Sequence, residues 1–231
     1  MTQTIALIDY GSGNLRSAAK AFEKAGAQVR VTNHAEDISK AERIVLPGQG
    51  AFGDCMRGLS ALPGMVEALN EAVLKKARPF FGICVGMQLL AARGLEHGTH
   101  QGLGWLDGEV RELQLSDSSL KIPHMGWNNL RFGGAEVRRF EAASSSEPSN
   151  LRTFEPLHPL LKNLPPSPYV YFVHSYAFAP EQPGDTLASC DYGGSFTAMV
   201  ARGNIAGAQF HPEKSQETGL QMIQNFLEWK P

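Results

Sequence analysis

The chain has 231 residues, 42% of them hydrophobic, a formal charge of −2 and three cysteines. That supplies a core for one large α/β domain or two small ones, without any window near the ~20 apolar residues of a membrane span. The near-neutral charge excludes the basic footprint of a nucleic-acid binder, and Cys55, Cys84 and Cys190, far apart and outside C-x-x-C spacing, exclude a disulfide framework or structural zinc site.

Met1 to Ile5 carries no basic n-region or cleavage pattern, so secretion is not expected, and the three scattered cysteines point to a reducing cytoplasm. Thr4 to Asp9 is a short apolar run that ends in the glycine turn Tyr10-Gly11-Ser12-Gly13-Asn14. Leu15, Ala18, Ala19 and Phe22 then recur at helical spacing. Gln28 to Val31 and Arg43 to Leu46 read as strands, the latter stopped by Pro47-Gly48, and Met65 to Lys76 reads as a helix. Pro79 to Ile83 is a further strand, followed by a helix-like segment from Met87 to Arg93. Strands alternating with helices imply a mostly parallel sheet with helices on both faces, whose function collects at the carboxyl ends of the strands. After about residue 105 the pattern changes. Glu109 to Leu115, Tyr169 to Phe178, Phe196 to Ala201 and Asn204 to Phe210 read as strands in an antiparallel or mixed extension of the same sheet. Residues 141 to 150 form a polar loop with Ser144-Ser145-Ser146, and Leu220 to Trp229 closes the chain as an amphipathic helix.

The most informative stretch is Gly82-Ile83-Cys84-Val85-Gly86-Met87-Gln88. A strand running into Gly-x-Cys-x-Gly and then a helix is a nucleophile elbow with sulfur in place of oxygen. The helix N-terminus favours thiolate over thiol. Cys55 and Cys190 have no such context and read as packing or surface residues. A thiolate nucleophile needs a base, and the base an orienter. Phe210-His211-Pro212-Glu213-Lys214 follows an apolar strand, and residues i and i+2 of extended backbone project to one side. Cys84, His211 and Glu213 are therefore the expected catalytic set. An oxyanion hole would take the N–H of Val85, and Pro47-Gly48-Gln49-Gly50 is either its second donor or an ordinary strand-to-helix turn. His124 and His174 have no neighbour at metal-ligand spacing, so structural or substrate-positioning roles are expected and no metal.

These residues together resemble the class I glutamine amidotransferases. The generic elements are Gly-x-Cys-x-Gly-x-Gln from Gly82 to Gln88 and His-Pro-Glu from His211 to Glu213. Asp9-Tyr10-Gly11-x-Gly13-Asn14-Leu15, Pro47-Gly48-x-Gly50, Pro123-His124-Met125-Gly126-Trp127-Asn128 and Phe172-Val173-His174-Ser175-Tyr176 are similar to the branch that serves imidazole glycerol phosphate synthases in histidine biosynthesis. The resemblance implies a single flavodoxin-like glutaminase domain over residues 1–231, a Cys-His-Glu triad and no cofactor. It assigns the oxyanion hole to Val85 and Gly50. Gln88, Gly50, Ser175 and Tyr176 would hold the glutamine backbone. It also implies a (β/α)8 cyclase partner that receives ammonia, docking near Asn14, Met125, Trp127, Tyr171 and Lys214. Met and Trp flanking a glycine suit an interface, although Met125 suits a core equally well. Gln49 stands where valine is common in the family, and the stretch from Gly133 to Pro156 is longer than usual. Two other readings share many of these features. One is a glutaminase serving another pathway, from which the Pro123 and Phe172 segments discriminate. The other is a partnerless cysteine hydrolase, which would act on peptides or γ-glutamyl compounds.

Overall fold

A computed structural model describes residues 3–132 and 158–231; the stretch from Gly133 to Pro156, with the polar loop at 141 to 150, lies outside them. Among the described residues the first half runs β1 (Thr4–Ile8), α1 (Leu15–Lys24), β2 (Gln28–Thr32), α2 (Ala35–Ile38), β3 (Arg43–Gly48), α3 (Phe52–Ala61), α4 (Met65–Asn70), β4 (Phe80–Cys84) and α5 (Val85–Gln88). Further strands follow: β5 (Ala91–Gly94), β6 (His100–Gln101), β7 (Leu106–Glu112), β8 (His124–Asn129) and β9 (Arg131–Phe132). The rest is β10 (Tyr169–His174), β11 (Tyr176–Pro180), β12 (Thr186–Asp191), β13 (Ser195–Arg202), β14 (Ile205–Ala208) and α6 (Gln216–Glu228).

The main sheet has the order β2-β1-β3-β4-β14-β13-β12-β9. From β2 to β14 all neighbours are parallel, and β13, β12 and β9 extend the sheet antiparallel. Strand order reverses after β2, so right-handed crossovers put α1 on one face and α2 to α4 on the other. The reversal leaves a crevice at the carboxyl ends of β1, β3 and β4, where α/β sheets bind ligands. β14 pairs with β4 in the register Ile205↔Phe80 to Ala208↔Ile83. Residues just beyond Ile83 and just beyond Ala208 therefore emerge at the same edge.

Burial explains why these segments take these forms. β3 is buried throughout, as a central parallel strand covered on both faces must be. α1 starts where the Asn14 side chain accepts from the Ser17 N–H at 3.4 Å, and it turns Ala18, Ala19 and Phe22 inward. Phe22 meets Phe226 of α6 edge-on at 6.2 Å, and Phe226 packs on Phe81 of β4 at 5.2 Å. Each such phenylalanine contributes roughly 1.5–3 kcal/mol through burial. Together they lock α1 and α6 beneath the strand that ends in Cys84.

Three expectations need correction. The segment from Met87 to Arg93 is not a helix. α5 ends at Gln88, and Ala91 enters β5, which pairs with β7 in parallel. Leu89, Leu90 and Ala91 are all buried, and a continuous apolar run fits a buried strand as well as a helix. Tyr169 to Phe178 is not one strand. It changes partner at Ser175, where β10, paired with β8, gives way to β11, paired with β7. These strands also do not extend the main sheet: β11-β7-β5-β6 and β10-β8 are separate sheets.

Candidate active site

Cys84 closes β4 and opens α5 with φ 55° and ψ −114°. Such a conformation costs a non-glycine residue about 1–3 kcal/mol, which the surrounding packing must offset. Gly86 makes the turn possible, because a Cβ there would lie 1.8 Å from the Leu46 carbonyl oxygen of β3. The sulfur lines a cavity of about 230 Å³ with Gln49, Gly50, Val85, Gln88, Ser175 and His211 among its walls.

His211 and Glu213 flank Pro212, which opens a single 3-10 turn. His211 Nδ1 lies 2.8 Å from Glu213 Oε1, and both side chains are almost fully buried. The other ring nitrogen, Nε2, has no hydrogen-bond partner among the described residues. Burial disfavours the imidazolium, but the Cys84 sulfur and the Glu213 carboxylate outweigh it and raise the His211 pKa to about 9. The imidazole thus has a carboxylate on Nδ1 and a sulfur acting on its charge, with Nε2 left for proton exchange.

Two hydrogen-bonded chains meet on the Tyr176 carbonyl, which accepts from Gln88 Nε2 at 2.9 Å and lies 2.9 Å from His174 Nδ1. A carbonyl only accepts, so His174 carries its proton on Nδ1. Burial lowers the His174 pKa to about 3 and the His124 pKa to about 4, so both rings are neutral. His174 Nε2 must then accept from His124 Nδ1, 3.1 Å away, and His124 Nε2 from Asn128 Nδ2 at 3.4 Å. Both rings are used in bracing the Ser175 turn from behind. Among the described residues there is no His, Cys, Asp or Glu cluster able to hold a metal.

The Val85 N–H is the first of a helix and has no intrahelical acceptor. Gly50, at φ 107°, is a second cavity residue whose backbone N–H is a candidate donor. The Gln49 carbonyl accepts from Ser12 Oγ and, at 3.4 Å, from Cys55 Sγ. In a trans peptide this turns the Gly50 N–H to the opposite side. The Gln49 N–H donates to Ser12 Oγ at 3.3 Å, so the glycine turn after β1 grips both sides of that residue.

The profile of the family described as glutamine amidotransferase class-I matches residues 6–229. This chain belongs to that family. Among the relatives of this class I glutamine amidotransferase is imidazole glycerol phosphate synthase subunit HisH of Rhodospirillum rubrum, 53% identical over 98% of this chain and 99% of the relative. The HisH subunit of Brucella suis biovar 1 is 51% identical with the same coverage. The fold is shared with the PurLQS structure from Thermotoga maritima, at a TM-score of 0.67 and 19% identity over 99% of each chain. It is also shared with a crystal structure of a glutamine amidotransferase, at 0.66 and 17% over 96% of this chain and 97% of the other.

In this amidotransferase the structure gathers Cys84, Val85, Gly50, Gln88, Ser175, Tyr176 and His211 around one cavity. Met125, Trp127 and Tyr171 lie on the two-stranded sheet, with Trp127 opposite Tyr171, their rings edge-on at 6.0 Å. Lys214 Nζ sits over the Tyr171 ring at 5.8 Å. Met125 is 65% exposed and Trp127 44%, which removes the core reading of Met125. Asn14 is exposed at the start of α1.

Sequence reasoning passed over three residues. Glu96 lines the cavity and accepts from the Phe52 N–H at 2.7 Å, a long-range placement that no local pattern announces. Tyr169, 56% exposed, continues the aromatic patch. Gln209 is wholly buried and donates from Nε2 to Cys84 Sγ at 3.7 Å. A signal for it did exist. It is polar within the apolar run from Asn204 to Phe210 and two residues before His211, a spacing that in extended backbone shares a side.

Proposed function

We propose that this chain is the glutaminase subunit of an imidazole glycerol phosphate synthase, a single domain acting in the cytoplasm. It hydrolyses glutamine and passes the ammonia to a (β/α)8 cyclase subunit in histidine biosynthesis. The observation that carries the chemistry is the His211–Glu213 contact at 2.8 Å, beside the same cavity that Cys84 lines. The identity to HisH subunits over nearly the whole chain carries the biological role.

In this reading Cys84 attacks the side-chain amide carbon of glutamine, and the N–H groups of Val85 and Gly50 hold the oxyanion. His211, kept protonated by Glu213 and the thiolate, gives its Nε2 proton to the departing ammonia. A γ-glutamyl thioester remains on Cys84. His211, now neutral, takes a proton from water, which attacks the thioester and frees glutamate. Gln88 spends its Nε2 on Tyr176 and Gln209, so its Oε1 is left to accept from the substrate α-ammonium, with the Glu96 carboxylate nearby in the cavity. The main chain at Ser175 and Tyr176 takes the α-carboxylate.

A partner follows from the product. Ammonia in neutral water is mostly protonated and has no lone pair for attack, so its use requires a sheltered route to a second site. The patch of exposed Met125, Trp127 and Lys214 with half-buried Tyr171, together with Asn14, is assigned to that docking face. Cys84→Ala tests the reading: the variant is expected to fold, bind the cyclase and release no glutamate, while the complex still uses added ammonium salt. Undiminished glutamine-dependent turnover by the variant would remove the mechanism.

A further inference from the structure

The polarity of one buried chain of hydrogen bonds has a consequence for the nucleophile. The Tyr176 carbonyl can only accept, so the group of Gln88 that faces it at 2.9 Å is the Nε2 amide. The same Nε2 donates to Gln209 at 3.0 Å, so Gln209 must present Oε1 there. The opposite end of the Gln209 amide, Nε2, is then left facing Cys84 Sγ at 3.7 Å. Amide orientation, commonly ambiguous, is here dictated by a backbone atom two residues removed from the sulfur. Gln209 is fully buried and Gln88 nearly so.

We infer that Gln209 is a dedicated hydrogen-bond donor to the Cys84 thiolate, held in its donating orientation by Gln88 and the Tyr176 carbonyl. The inference rests on the reading of Cys84 as the nucleophile and adds a residue to its machinery. The sulfur also meets the Val173 carbonyl at 4.0 Å, an acceptor that only a protonated thiol can use. Ionisation gives up that contact and strengthens the bond from Gln209, since bonds to an ionised partner are the stronger kind. The carboxamide accomplishes this without a second cation beside His211. The other ionisable groups around the sulfur are His211 with Glu213 beyond it, Tyr10 and Cys55 from behind β3, and His174 and Glu96 on the cavity wall. None of them bonds to Gln209 or Gln88 among the described residues, so removing the donor leaves that set in place.

The test is alkylation of the full chain by iodoacetamide, followed at the Cys84 peptide by mass spectrometry so that Cys55 and Cys190 do not interfere. In Gln209→Met, which keeps the volume and removes the donor, the Cys84 rate at pH 6.5 is expected to fall about tenfold. At pH 10, well above the ordinary cysteine value of about 8.5, the two rates should agree within about twofold. Gln88→Met leaves Gln209 free to turn its oxygen to the sulfur, and a fall of about threefold at pH 6.5 is expected. This second variant decides the matter if Gln209→Met does not fold by circular dichroism. Rates equal to the parent at pH 6.5, or an equal loss at both pH values that signals blocked access, would overturn the inference. The readout requires no glutamine turnover, so it stands or falls separately from the Cys84→Ala experiment.

Discussion

The buried pair of His211 and Glu213 sets the working state of the site. An imidazole at 4% exposure would ordinarily be neutral, and the desolvation cost of its charge is the largest single influence on it. The Cys84 sulfur and the Glu213 carboxylate reverse that, so the ring holds its proton up to about pH 9. Raised above its ordinary value of 6.5, the group contributes stability that is fully present below about pH 6.5 and is lost as pH climbs towards 9. Glu213→Gln keeps the shape and removes the charge. The decline in stability, measured by chemical denaturation at successive pH values, should then still set in near pH 6.5 but be smaller and finish at lower pH. Glutamate release should fall about 10²–10⁴-fold, because the ring loses both its orienter and its counter-charge. A variant with the parent's pH profile and activity would show that the carboxylate merely fills space.

Between elements, the elbow depends on three strands and a helix meeting without side chains. Gly86 at the start of α5 faces the Leu46 carbonyl of β3 so closely that a Cβ would stand 1.8 Å from its oxygen, and rigid backbone cannot step aside as a side chain would. Gly86→Ala is expected to destabilise by about 1–3 kcal/mol through overpacking, a loss of about 2–4 °C in Tm per kcal/mol at this size. Gly184→Ala is the control, since a Cβ there meets nothing within 4 Å, and its effect should stay within about 0.5 kcal/mol. Equal melting temperatures for the two variants would refute the packing argument. The elbow was legible in the sequence because glycines at fixed offsets around a cysteine have few other uses. The same holds for β1 to β4 and for α1, whose apolar positions match the buried Ala18, Ala19 and Phe22. What periodicity misses is partner exchange. The run from Leu89 to Ala91 is apolar whether it forms helix or strand, and the switch at Ser175 depends on β7 and β8, distant in sequence. Glu96 was illegible for the same reason, whereas Gln209 was in view as a polar residue in an apolar run.

At the scale of the whole molecule, the proposed docking face and the proposed base share a strand. The Tyr171 carbonyl accepts from the His211 N–H at 3.0 Å, and the Tyr171 N–H donates to Ser215 Oγ at 3.0 Å, so β10 brackets the turn that carries His211 and Glu213. The outward side of that strand presents Tyr169 and Tyr171, with Trp127 of β8 edge-on to the latter. Exposed aromatic rings flanked by a cation are the composition of an interface centre, and large aromatic anchors contribute a disproportionate share of binding energy. Trp127→Ala should therefore weaken cyclase affinity by at least about 2 kcal/mol, roughly thirtyfold in Kd, measured by titration calorimetry. Its Tm should move by no more than about 2 °C, because the indole is already 44% exposed and supports little of the core. An unchanged Kd would place the partner on another face. A Kd lost together with several degrees of Tm would mean that the ring braces β8 against β10 rather than waiting for a partner.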